Sequence, residues 1–232
     1  MPIIVFGESA GMIGGDHKDT FVYAGGANSA WGSEPEIYSG GGGNAAYSIG
    51  RWSFDGHIPT NVVINSAIAT YVKRLAAGPA LAANLSYNNI LTPSGVTPTD
   101  AGVNQNPPVG ANDAATWNDS FAVTGTNWAG GGAISAADIG VMGPTVAINQ
   151  NDPIGTVYNF DITDIVQAQV QNDATNFGWI ISQTGAFYLR LWSLNAAVLA
   201  NRPYLTVNWD FPPSTGITRQ SHTAIHTGIA MM

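Results

Sequence analysis

Between Val63 and Val72 the chain alternates without a break. Val63, Asn65, Ala67, Ala69 and Tyr71 fall on one face of an extended strand, and Ile64, Ser66, Ile68, Thr70 and Val72 on the other. Neither face carries a charge, so this strand is expected to be buried on both sides or close to it. Lys73 and Arg74 close it with charge. Just upstream, Trp52 and Phe54 alternate with Ser53 and Asp55, and Gly56 and Pro59 punctuate a turn. Arg51–Lys73 therefore predicts strand, tight turn, strand, and this pair is expected at the centre of a β-sandwich.

The same reading extends along the chain. Residues 19–38 predict an opening strand and its return, and Tyr47–Phe54 a strand carrying Arg51. Residues 75–92 predict a further strand with a loop insertion, with a short helix around Pro79–Leu85 as the alternative. Residues 93–114 are turn formers almost throughout and predict a long surface loop, with a domain boundary as the alternative. Val157–Phe160 is a strand, after which Asp161 or Thr163 caps a short helix with Ile162, Ile165, Val166 and Val170 on its apolar face. Asn176–Ile181 predicts turn then strand, Tyr188–Trp192 a strand, and Asn201–Val207 the closing strand. The expected fold is an all-β, antiparallel, jelly-roll-like sandwich over residues 19–210 with one short helix.

Both ends predict extended arms. Residues 1–18 hold one apolar burst, Ile3, Ile4, Val5 and Phe6, before a Gly-rich run. Residues 211–232 hold Phe211, Ile217, Ile225 and Ile229, too sparse for a domain and preceded by no strand that Pro212 and Pro213 would let continue. These eight apolar residues are expected to rest on the sandwich or on a neighbouring subunit.

Composition supports the β reading and narrows the function. Of 232 residues, 28 are Gly and 13 are Pro, while 9% are charged, which suits many strands joined by tight turns. The net charge is −8 and the seven Lys and Arg are scattered, which disfavours nucleic acid. Cysteine is absent, so disulfides and thiol chemistry are excluded. The N-terminus lacks a basic region and a long apolar run, so neither a signal peptide nor a membrane span is expected there.

The ordered words of the chain resemble a known family. Arg51, Phe54-Asp55, Ile58-Pro59, Val62, Ile64 and Ser66-Ala67 match the core of the disaggregatase-related repeat domain, DNRLRE. Asp19, Phe21-Val22-Tyr23, Trp31-Gly32-Ser33, Thr116-Trp117-Asn118, the Phe160–Val166 step and Arg202-Pro203 follow in the family's order. The resemblance covers about residues 19–209, and departs at the 93–114 loop and at the two arms. It implies a β-sandwich that partly overlaps with carbohydrate-binding modules of polysaccharide-degrading enzymes and surface proteins.

Candidate chemistry is sparse. His222 and His226 stand four apart, but no nearby carboxylate offers a third metal ligand. His17 reads as an exposed loop end and His57 as a turn residue. Asp161 and Asp164 read as first-turn carboxylates favoured by the helix dipole, and Asp55 as a turn residue. The chain has no Gly-x-Ser-x-Gly element, and Gly40–Gly43 lack the Lys-Ser/Thr of a phosphate loop. Asn149-Gln150-Asn151-Asp152 echo a calcium loop without its Gly and closing Glu, so structural calcium is left open with no ligands assigned and no other cofactor is expected. Trp31 and Trp128 lie in turn-rich segments and are candidates for stacking on a glycan, against a core role for Trp52, Trp117, Trp179 and Trp192. Arg51 and Arg190 read as strand arginines paired with carboxylates.

Two functions are expected from these features. The first is a non-enzymatic virion protein of a phage, made in the host cytoplasm. Its arms would hold a displayed sandwich to neighbours such as the major capsid protein or further copies of itself. The alternative is a carbohydrate-binding module for a polysaccharide or cell-surface glycan. A free-standing enzyme is the poorest of the readings, because no convergent base and charge-neutralising pair stands out.

Overall fold

The computed structural model describes residues 2–7, 12–13, 17–27, 30–31, 34–40, 45–79, 81–93, 104–105, 115–121, 126–140, 143–172, 174 and 176–213. Fifteen strands and one α-helix are found among them. The first seven strands are β1 (Ile3–Phe6), β2 (Lys18–Tyr23), β3 (Ala30–Trp31), β4 (Glu36–Gly40), β5 (Ala46–Arg51), β6 (Val63–Ala77) and β7 (Ala82–Asn89). Then come β8 (Asn104–Gln105), β9 (Asp119–Phe121), β10 (Thr126–Asn127), β11 (Thr145–Asn149) and β12 (Val157–Asp161). The helix α1 (Thr163–Gln171) precedes β13 (Trp179–Gln183), β14 (Tyr188–Trp192) and β15 (Tyr204–Asp210).

Two antiparallel sheets carry the fold. One has the order β1-β15-β6-β14-β4 with β12 also paired to β6, and the other the order β11-β7-β13-β5-β2. The short pairs β9–β10 and β3–β8 lie apart from them. The long strand β6 is the spine. Val63–Thr70 pair with β15, Ile68–Val72 with β12, and Lys73–Ala77 with β14. Both faces are covered only over Ala69, Thr70, Tyr71 and Val72, all buried; in the first half of the strand the expected two-sided burial fails, since Val63 is 45% exposed and Asn65 is exposed. Between the sheets Tyr71, Tyr87 and Trp179 meet as rings, with Tyr71–Trp179 centroids 5.5 Å apart and Tyr87–Trp179 5.6 Å. Burial pushes both tyrosine hydroxyls well above their ordinary range, so they remain protonated donors.

The Arg51–Lys73 stretch differs from expectation. Its two strands do not pair with each other: β5 lies in one sheet and β6 in the other. Trp52–Phe54 are outside any strand, and the N–H groups of His57 and Ile58 turn back to the Phe54 carbonyl at 3.0 and 3.2 Å. The segment is a crossing between sheets that plugs one end of the sandwich with Trp52, Phe54, Ile58 and Val62, all buried. Trp52 donates its indole N–H to the Tyr87 hydroxyl at 3.1 Å, and Asn176 holds the Trp52 carbonyl at 2.9 Å.

The N-terminal arm is also corrected. Ile3–Phe6 form a sheet strand on β15, with Ile3 opposite Asn208 and Phe6 opposite Leu205. Phe6 is fully buried, edge-on to Phe54 at 5.5 Å and to His17 at 5.4 Å. His17 is accordingly not an exposed loop end: it is 2% exposed and meets the Ile13 carbonyl at 2.7 Å. At the other end Phe211 is 60% exposed, with its ring edge-on to Trp209 at 5.3 Å. Ile217, Ile225 and Ile229, and with them His222 and His226, lie outside the described residues. So does most of the 93–114 loop, of which Asn104 and Gln105 pair with Trp31 and Ala30.

Candidate cleft at the head of the helix

The helix forms where its apolar spacing predicts, with Ile162, Val166 and Val170 buried against the core. Its start is fixed by side chains. Asp161 Oδ1 accepts the N–H of Thr163 at 3.2 Å and its hydroxyl at 2.6 Å. Thr163 Oγ1 in turn accepts the Ala67 N–H at 2.9 Å, which ties the first turn to β6. Gln167 adds a second tie, accepting the Ile64 N–H at 2.8 Å and donating to the Val62 carbonyl at 3.1 Å.

In front of this first turn opens a cleft of about 930 Å³. Asp161, Thr163, Asp164, Ile165, Ala168 and Gln169 line it from the helix side, and Asn89, Ile90, Leu91, Gly143 and Pro144 from a second wall, with Asn65 and Phe177 also in the lining. The second wall is held by main-chain bonds. Ile90 N–H reaches Gly178 O at 3.0 Å, Leu91 N–H reaches Asp138 O at 2.8 Å, and Tyr87 N–H reaches Pro144 O at 3.1 Å. Gly143 donates to Asn88 Oδ1 at 2.7 Å and passes so near β7 that an added Cβ would lie 2.0 Å from the Tyr87 carbonyl oxygen. Only glycine fits there.

The lining chemistry is mixed. Leu91, Ile165, Phe177 and Pro144 supply apolar surface; Asn65, Asn89 and Gln169 supply amides; Asp161 and Asp164 supply exposed carboxylates. Among the described residues, no lysine or arginine lines it. Such a lining suits an uncharged polyhydroxyl ligand or a cation better than an anion. Both carboxylates are solvent-exposed and three residues apart.

A second polar cluster lies on the outer face of β4 and β14. Glu36 is buried and receives Arg74 and, at 3.2 Å, Arg190, while the Tyr38 hydroxyl donates to its Oε1 at 2.6 Å. Arg74 lies over the Trp192 ring at 4.9 Å and Arg190 over Tyr38 at 4.8 Å. This explains Arg190 as a paired strand arginine. The cluster is a clasp joining β4, β14 and β6, with each guanidinium covering one aromatic face.

The two expected stacking tryptophans go elsewhere. Trp128 is 1% exposed and donates its indole N–H to the Thr116 carbonyl at 3.0 Å, so it has no face to offer a sugar. It belongs to a small second core with Val22, Ile49, Ile134 and Ile180. Trp31 is half-buried and stacked on Phe21, with centroids 5.4 Å apart and planes at 16°. Neither lines the cleft, whose aromatic residue is Phe177. Trp52 and Trp179 are core, as expected, while Trp117 is half-buried on Tyr47 at 5.3 Å.

The loop beside Trp128 is organised by Asp138, which is fully buried. Its carboxylate accepts the Thr92 hydroxyl at 2.7 Å, the Ala129 N–H at 2.6 Å, the Ser135 N–H at 2.9 Å and the Ser135 hydroxyl at 3.0 Å. Burial alone would push this carboxyl up. The Thr92 hydroxyl, then the Ala129 and Ser135 donors, outweigh it and hold the group below its ordinary value. Glu36 and Asp138 are thus both held by partners within the fold. No group of three or more His, Asp or Glu gathers among the described residues to hold a metal. No known protein family matches the chain, and no curated protein matches it.

Proposed function

We propose that this protein is a non-catalytic β-sandwich that binds an uncharged glycan in the cleft at the head of α1. The observation that carries the reading is the cleft's lining: amides and carboxylates beside apolar surface, with no lysine or arginine among the described residues, in a volume of about 930 Å³. Sugar hydroxyls need paired donors and acceptors, which Asn65, Asn89, Gln169 and Asp164 supply, and the apolar edge of a pyranose needs a surface such as Phe177 and Leu91. The resemblance to DNRLRE domains points the same way. The test is titration with a panel of neutral oligosaccharides by calorimetry. A bound member should lose at least about tenfold in affinity on Asp164→Ala or Asn65→Ala, a difference of about 1.4 kcal/mol. Arg190→Ala, in the clasp on the outer face, should leave the affinity unchanged. Absence of binding across the panel, or binding that is indifferent to both cleft substitutions, sinks the proposal.

A second reading, the structural protein of a virion or similar assembly, is favoured by one corner of the molecule. The edge strand β1 exposes Ile3 at 63%, and Phe211 at 60% begins the C-terminal segment close by, since Trp209 N–H bonds to Pro2 O at 3.4 Å. The latch in this reading is the C-terminal segment, because Phe6 and its strand are already committed to their own sheet.

A further inference from the structure

We propose that the turn from Asn149 to Thr156 is a monovalent-cation site whose ion is tethered to the chain as the ammonium of Lys73. Lys73 lies on the spine strand β6 and is 1% exposed. Its Nζ donates to three main-chain carbonyls of one turn: Asn149 O at 3.3 Å, Gln150 O at 2.8 Å and Asp152 O at 2.5 Å. An ammonium has three N–H groups, so its donors are all used. The main chain of Lys73 grips the far end of the same turn, with its N–H on Thr156 O at 2.8 Å and its carbonyl receiving Gly155 N–H at 2.9 Å.

The turn is held by contacts of its own as well. Asp152 Oδ2 accepts the Asn149 N–H at 2.8 Å and the Tyr158 hydroxyl at 3.0 Å, and Asn149 Oδ1 accepts the Asn151 N–H at 2.9 Å. Gly155 closes it at φ +88°, a conformation that favours glycine. The Asp152 carboxylate thus stands one layer behind the carbonyls and adds a negative field without touching Nζ. Burial draws the Lys73 ammonium below its ordinary range, and Asp152 opposes that. This is also why Asn149–Asp152 echo a calcium loop. The carbonyl ring is there, but with three oxygens at 2.5–3.3 Å and one carboxylate behind them it is cut for a larger, singly charged ion than calcium, which takes six to eight oxygens at about 2.3–2.6 Å.

The test replaces the tether. Lys73→Ala keeps Cβ and removes three carbons and the nitrogen, which is the outline of n-propylammonium. Millimolar n-propylammonium should raise the melting temperature of the variant by about 5 °C. It should do nothing to the natural protein, and n-propanol should not substitute for it. Equal response to propanol, or none to the amine, overturns the proposal. Should the variant fail to fold, the natural protein answers directly, because Lys18 and Lys73 are its only lysines. Nitrogen-15 spectra of the side chains at neutral pH should show one slowly exchanging ammonium. Two ammonium groups that both exchange fast with water would overturn it.

Discussion

At the scale of single residues the structure turns on a few buried charges that the chain has supplied with partners. Asp138 is the clearest. Four donors converge on it, and asparagine offers one acceptor oxygen and turns an NH₂ toward donors. Asp138→Asn should therefore cost about 2–3 kcal/mol, seen as a lowered urea midpoint with unchanged slope. The pH dependence follows from the direction of its shift. A carboxyl held below its unfolded value of about 3.9 contributes stability that is complete above that pH and is lost as pH falls toward the folded value. The natural protein should lose stability through this window more steeply than Asp138→Asn. Parallel acid limbs for the two would contradict the assignment. Sequence gave no sign of this role, since the partners Thr92, Ala129 and Ser135 are distant or unremarkable in the chain, and only the folded loop brings them together.

At the scale of elements, what was legible is what periodicity encodes. The strand Tyr188–Trp192 appears with the expected bounds, and the helix after Asp161 buries Ile162, Val166 and Val170 of its expected apolar face against the core while Ile165 is only partly buried. Periodicity does not encode pairing. Trp52 and Phe54 alternate like a strand, yet they form a crossing between sheets, since an extended connector with two inward side chains has the same period. Ile3–Phe6 failed for the opposite reason. Four apolar residues before a Gly-rich run carry no mark of the partner strand, which lies some 200 residues away at Leu205–Asn208. The consequence is measurable. Phe6→Ala should destabilise the fold by about 3–5 kcal/mol, whereas Ile3→Ala, at a largely exposed position, should change it by less than about 0.5 kcal/mol. Similar small effects from both would return the segment to the status of an arm. The cleft escaped the sequence altogether, because its lining is drawn from residues 65, 89–91, 143–144, 161–169 and 177.

At the scale of the whole molecule, the two proposed ways of engaging a partner differ in chemistry but lie close together, since Asn65 of the cleft donates to Asp210 Oδ2 at 3.3 Å and Asp210 precedes Phe211. The cleft is acidic and amide-lined, whereas the Glu36–Arg74–Arg190 clasp is closed on itself, and the exposed apolar corner of Ile3 and Phe211 is neither. Ligand recognition in the cleft and assembly through that corner are separate proposals. They are distinguished by what the C-terminal segment does. With β1 built into its own sheet, self-assembly through terminal arms has a single route left, the chain beyond Pro213. Light scattering on the full chain and on residues 1–213 should then give a multimer for the first and a monomer for the second. If both are multimers of the same size, association runs through the sandwich, and Ile3→Glu on the edge strand should abolish it. If both are monomers, self-assembly is not a property of this chain, and the assembly reading fails.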